Sequence, residues 1–104
     1  MVFGAAGFDW DGANRAKCQK HGVTIAAIEA MFQKPIAVFP NPRHSRTEER
    51  FIAIGKDEDS HAVLAVFTMR TRDLRTLIRL ISARYMHKKE VEHYEKEAAK
   101  IKDR

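Results

Sequence analysis

Apolar positions recur at helical spacing early in the chain and at strand spacing in its middle. Ile25, Ile28, Met31 and Phe32 form one stripe of a helix. Thr24 stands before it as an N-cap, and Val23 can pack on Ile28 as a hydrophobic staple. Lys34-Pro35 ends the run, because the residue before proline avoids the helical region. Upstream, Phe8-Asp9-Trp10-Asp11 reads as a short extended piece running into a cap at Asp11. Residues 12–21 then predict a short helix with Ala13 and Ala16 on its inner side, and Gly22 is the expected left-handed stop.

After Pro35 the pattern becomes that of strands. Residues 36–39 predict a short strand, stopped by Pro40-Asn41-Pro42. Residues 43–49 are polar and loop-like. Residues 50–55 predict a second strand, and residues 56–60 a hairpin-type connection. Residues 62–68 are continuously apolar, which predicts a central strand covered on both faces. Residues 69–76 are charged and read as a long loop. Residues 77–82 predict a fourth strand from which Arg79 points outward. Residues 87–101 predict a final helix with Val91, Tyr94, Ala98 and Ile101 on its inner stripe. The expectation is an α+β fold, with about four antiparallel strands packed by two N-terminal helices and one C-terminal helix. One domain spans residues 1–104, with 1–7 and 102–104 flexible.

Composition sharpens the picture in two ways. Apolar residues make up 44% of the chain, enough for a hydrophobic core, and no apolar run is long enough to span a membrane. No secretory leader is read at the start, and the single cysteine, Cys18, excludes an internal disulfide, so a cytoplasmic location is expected. Lys and Arg total 19 against 14 Asp and Glu, a net charge of +5, which favours a polyanionic partner. The basic residues cluster: Arg43, Arg46 and Arg50 lie together, and Arg70, Arg72, Arg75, Arg79 and Arg84 follow with little lysine. Guanidinium groups suit forked contacts to phosphate or carboxylate.

No phosphate-binding glycine loop, dinucleotide fingerprint or zinc-ligand spacing occurs. Asp57-Glu58-Asp59 reads as a solvated turn, His61 as ordinary surface, and Cys18 as a packing residue. The stretch Lys17 to Val23, KCQKHGV, carries more promise. At a helix C-terminus, Lys20 and His21 meet the negative end of the dipole. That role alone accounts for them unless the fold brings arginines near. With such company, a metal-free cut of RNA is within reach. The ribose 2′-OH attacks its adjacent phosphorus, a histidine exchanges protons, and Lys or Arg stabilise the phosphoryl oxygens. Glu48, Glu49 and His44 are weaker candidates for proton transfer. Two other classes compete: a non-catalytic basic nucleic-acid-binding module, and a structural partner protein within a DNA-binding repressor complex.

The motifs FDWD, KHGV, EERFIAIGK, AVLAVFT and IRLISARYMHKKEVEHYE together resemble the BrnT family of bacterial toxins, from about Phe8 to Lys96. The resemblance implies a RelE-like ribonuclease fold and the toxin half of a type II toxin–antitoxin pair that arrests translation by cutting RNA, with no cofactor. It implies a small antitoxin, BrnA-like, with a ribbon-helix-helix part that forms a hetero-oligomer around an antitoxin dimer and binds operator DNA. It also matches Lys20, His21 and Arg84 to family motifs, while Tyr85 stands where relatives carry another arginine or similar polar residue; these four are the expected catalytic residues. Trp10, Arg50, Arg70, Arg72, Arg75 and Arg79 are the expected RNA-binding residues; Arg70, Arg72 and Arg75 sit on an enlarged loop expected either to extend an RNA groove or to contact the antitoxin. No metal site is expected.

Overall fold

A computed structural model describes residues 1–41 and 48–102. Arg43, His44 and Arg46 therefore lie outside the described residues. Among the described residues the sheet has five strands: β1 (Gly7–Phe8), β2 (Ala37–Pro40), β3 (Phe51–Lys56), β4 (Ala62–Arg72) and β5 (Arg75–Tyr85). Their spatial order is β1-β5-β4-β3-β2. Helices α1 (Gly12–Gln19) and α2 (Ile25–Phe32) precede β2, and α3 (Lys88–Lys102) follows β5. The α+β class holds, but the sheet is mixed rather than antiparallel with four strands, because β1 pairs with β5 in parallel through Gly7 and Phe8. Val2–Gly4 forms a 3-10 turn ahead of β1.

The largest correction concerns the segment expected as a charged loop. Met69 to Thr76 is strand on both sides of a two-residue turn, with Thr71 opposite Thr76 and Arg72 opposite Arg75. Both turn residues, Asp73 and Leu74, have positive φ (50° and 66°). Positive φ at both central positions matches the twist of the flanking strands and closes a tight hairpin.

Alternation sorts the residues of the sheet. Ala53, Val63, Ala65, Phe67, Ile78, Leu80 and Ala83 are buried on the face that α2 covers with Ile28, Met31 and Phe32. β5 keeps Leu80 and Ala83 on that face despite their odd spacing because the ladder slips: Phe67 faces Leu80 while Val66 faces Ser82. Ile81 is the extra residue, so a strict alternation of in and out cannot be read through LIRLISA. Gly55 leaves room for its neighbours, since a Cβ there would lie 2.8 Å from Ile36 Cγ2 and 3.3 Å from Met31 Cγ of α2. Aromatic rings fill the centre: Phe67 meets Phe32 edge-on at 5.3 Å, and Phe51 lies 5.4 Å away.

From Ala62 to Phe67, β4 alternates between half-buried and buried, so it is not covered equally on both sides as its apolar run suggested. On the second face, Leu64, Val66, Ile52 and Ile54 are partly exposed. Helix α3 touches that face through Tyr94, whose ring meets Phe39 edge-on at 6.2 Å.

The local stops work as the sequence predicts. Asp11 caps α1, and its side chain and that of Asn14 exchange hydrogen bonds with each other's backbone N–H. Thr24 caps α2 by accepting from the Ala27 amide, and Gly22 has φ +89°. Ala13 and Ala16, however, are exposed, and the buried residues of α1 are Asn14 and Cys18. Asn14 Nδ2 donates to the carbonyls of Asp9 and Leu80, each at 3.0 Å. A side-chain amide thus takes the place of a strand on the edge of β5 that the short β1 leaves open.

Candidate functional site

Helix α1 packs along β5, and its C-terminal turn carries Lys20 and His21 into solvent. Neither side chain has a hydrogen-bonding or ion-pair partner among the described residues. The helix N-terminus is fixed by Asp11 and Asn14, and its last turn by buried Cys18, so its end is placed by packing rather than by the two cations themselves. Burial pushes the Cys18 thiol up to about 11, with the charges of Lys17 and Arg79 only partly offsetting it. A thiol held protonated in this way is no nucleophile at neutral pH.

Arg84 lies near the end of β5, opposite Leu64 on the second face of the sheet. Its guanidinium makes a forked ion pair with Glu90 of α3 at 2.7 and 2.9 Å. Glu90 also accepts from the His87 amide at 2.9 Å, so one carboxylate caps α3 and holds Arg84. Hydrogen bonding from Arg84, then from the His87 amide, lowers Glu90 from 4.5 to about 2. Because the folded value is depressed, this pair stabilises the protein above about pH 4.5, and the contribution fades as pH falls toward 2. About a third of each side chain is exposed (39% and 34%), so water and salt weaken the pair. Glu90→Gln is expected to lower the melting temperature at pH 7, with the gap from the parent closing as the pH approaches 2. Thermal melts of both proteins across that range check it.

Tyr85 does not join Arg84. Adjacent strand residues point to opposite faces, and Tyr85 O–H donates to Asp57 Oδ2 at 3.1 Å. Asp57, expected in a solvated turn, is only 7% exposed. Its other oxygen accepts the amides of Asp59 and His61, both at 2.9 Å. Burial raises Asp57, but the His61 amide, the Tyr85 phenol and the Asp59 amide outweigh it and hold the carboxyl below its usual range. Burial and Asp57 together push the Tyr85 phenol up. His61 is not plain surface: its Nδ1 lies 3.4 Å from Asp57 Oδ2, and its ring stands edge-on to Tyr85 at 6.0 Å. These residues, with Lys56 and Lys88, line an open cavity of about 650 Å³. Asp57, Asp59 and His61 can each offer one ligand atom within 4.8 Å of the others, although Asp57 is already committed to the turn and to Tyr85.

The arginines expected to bind RNA share the second face of the sheet. Arg79 donates to Asp11 at 2.7 Å and reaches Asp9 at 3.5 Å, and Arg72 donates to Asp9 at 3.0 Å. Glu48 links Arg70 (3.0 Å) to Arg50 (3.7 Å). Arg75 is exposed and has no partner among the described residues. The backbone amide of Asn14, then Arg79, holds Asp11 below the usual carboxylate range. Trp10 is tied down, its Nε1 donating to Glu29 at 2.9 Å while Arg15 lies 5.9 Å above its ring. Carboxylate anchors thus hold four of these guanidiniums, those of Arg50, Arg70, Arg72 and Arg79.

Sequence reasoning missed Asn14, Asp57, His61 and Glu90. The spacing Asp11-x-x-Asn14 carries a cap signal, and alternation along a strand could have parted Arg84 from Tyr85. No local signal marks Asp57, whose burial depends on a strand distant in sequence.

Among the described residues no helix is long and apolar enough to cross a membrane. A search of curated proteins returns no match. The family model described as "Ribonuclease toxin, BrnT, of type II toxin-antitoxin system" matches residues 10–90, which include Trp10, Lys20, His21, Arg50, all five clustered arginines from Arg70 to Arg84, and Glu90. With most of its length matched, the chain belongs to the BrnT family of ribonuclease toxins, which act in type II pairs with an antitoxin partner.

Proposed function

We propose that this toxin cuts RNA internally without a metal ion, by attack of a ribose 2′-OH on the adjacent phosphorus. The P–O5′ bond breaks, a 2′,3′-cyclic phosphate forms, and the 5′-oxygen leaves with a proton. His21 exchanges protons with the reacting oxygens. Lys20 and Arg84 stabilise the negative charge that gathers on the phosphoryl oxygens. The observation that carries this reading is a pair of exposed, partnerless residues, Lys20 and His21, on a helix packed against β5, the strand that bears Arg84. Phosphate must compete with Glu90 for the Arg84 fork. Trp10 and the arginines at 50, 70, 72, 75 and 79 hold the RNA, whose phosphates exchange with the carboxylates that keep four of those side chains in place.

The antitoxin partner has a ribbon-helix-helix, BrnA-like form, gathers toxins around its dimer, and carries the complex to operator DNA. The pair works in the cytoplasm, and the fold is RelE-like. Cleavage with EDTA present, leaving a cyclic or 3′-phosphate, is the deciding experiment. Cutting that stops with EDTA and returns with magnesium overturns the mechanism.

Tyr85 separates two roles. Its hydroxyl is committed to Asp57 and the residue is 37% exposed, so the ring is the part left for a base. Tyr85→Phe is expected to keep cutting within about threefold, and Tyr85→Ala to lose about 10-fold, in line with a stacking contact of 1–3 kcal/mol per base. Initial rates on one RNA substrate compare them.

A further inference from the structure

Residues 70–75, at the end of the β4–β5 hairpin, are exposed. β3 pairs with β4 only from Ala62 to Phe67, and β1 pairs with β5 only at Leu77 and Ile78. Residues 68–72 therefore have no strand on their outer edge among the described residues. Register places Arg70, Arg72, Arg75 and Arg79 on one face of this two-stranded ribbon.

Two features of the tip work against folding. Leu74 is 99% exposed and has φ +66°. That left-handed position of a tight hairpin favours glycine or asparagine, whereas Leu is strained there and buries nothing. Asp73, also at positive φ, is of a residue type that tolerates it. Arg72 and Arg75 then face each other directly across the ladder, a repulsive pairing of like charges with Cβ atoms about 4.5–5.5 Å apart. Asp9 satisfies Arg72, while Arg75 has no partner among the described residues. A tip chosen for stability would carry neither feature. Both become favourable if an anion sits between the guanidiniums and an apolar surface covers Leu74.

We propose that the hairpin tip is an RNA-anchoring element, in which Arg72 and Arg75 clamp one backbone phosphate while Leu74 wedges against a neighbouring unstacked base. This deepens the ribonuclease reading and rests on it. RNA supplies both requirements at the spacing of one nucleotide, an anionic phosphate and an apolar base face. Apolar side chains that part base steps, flanked by arginines on phosphates, are a recurrent way of gripping nucleic acid.

The test uses a short RNA methylated at every 2′-oxygen, which cannot be cut, so binding is read whether or not the catalytic assignment stands. Leu74→Gly, and the double variant D73N/L74G, relieve the turn. The expected result is a melting temperature at or above the parent's, with RNA affinity at least about fivefold weaker, the lower end of losses for apolar base contacts. Arg75→Ala is expected to weaken binding and to reduce the slope of log affinity on log salt by about 0.7, one phosphate contact on a single strand. RNA affinity within twofold of the parent in Leu74→Gly overturns the proposal. So does unchanged RNA binding with lost antitoxin binding, which would assign the tip to the protein partner.

Discussion

Replacing His21 with alanine is expected to slow RNA cleavage about 10²- to 10⁴-fold, the usual contribution of a positioned proton carrier. The side chain is exposed and partnerless among the described residues, so removing it leaves the fold intact. Far-ultraviolet circular dichroism and melting should match the parent while single-turnover cutting in EDTA collapses. Binding of uncuttable RNA should persist, because the arginine face is untouched. A variant that cuts at the parental rate removes His21 from the chemistry and leaves Lys20 with only its charge to contribute.

Phe67→Ala is expected to have the opposite profile. Phe67 is fully buried and meets the rings of Phe32 and Phe51. Truncating a buried phenylalanine costs about 3–5 kcal/mol through lost burial and the cavity left behind. A domain of this size has about 5–15 kcal/mol in total, and each kcal/mol moves the melting temperature by about 4–8 °C. A fall of at least about 12 °C is therefore expected in calorimetry. RNA binding should be lost only where the protein has melted. A fall of a degree or two would mean that the aromatic cluster is not the centre of the core.

The two variants divide the molecule as the chain itself does. Helix caps and stops were legible because they are local. Asp11, Thr24 and Gly22 act on backbone groups within a few residues of themselves, and Pro35 restricts only its neighbour. The apolar stripe of α2 was legible because its period matches its structure. The hairpin was not, because Arg70, Arg72 and Arg75 resemble loop residues unless one knows that the ribbon projects into solvent on both faces. β1 was not, because two residues carry no period. The slip at Ile81 hid which residues of β5 face the core.

The order of residues was enough to establish the α+β class, the capped helices, the basic character and the KHG and ISAR motifs that carry the family likeness. Each depends on spacing or composition within short windows, where propensity and hydrogen bonding act without help from distant segments. Which guanidinium meets which carboxylate depended on strand register. Asp9 reaches Arg72 and Arg79 only because β1 enters the sheet beside β5. Asp57 meets the Tyr85 hydroxyl only because the fold brings the far end of another strand beside its turn. Long-range pairing brings such groups together, and no window of sequence contains both partners.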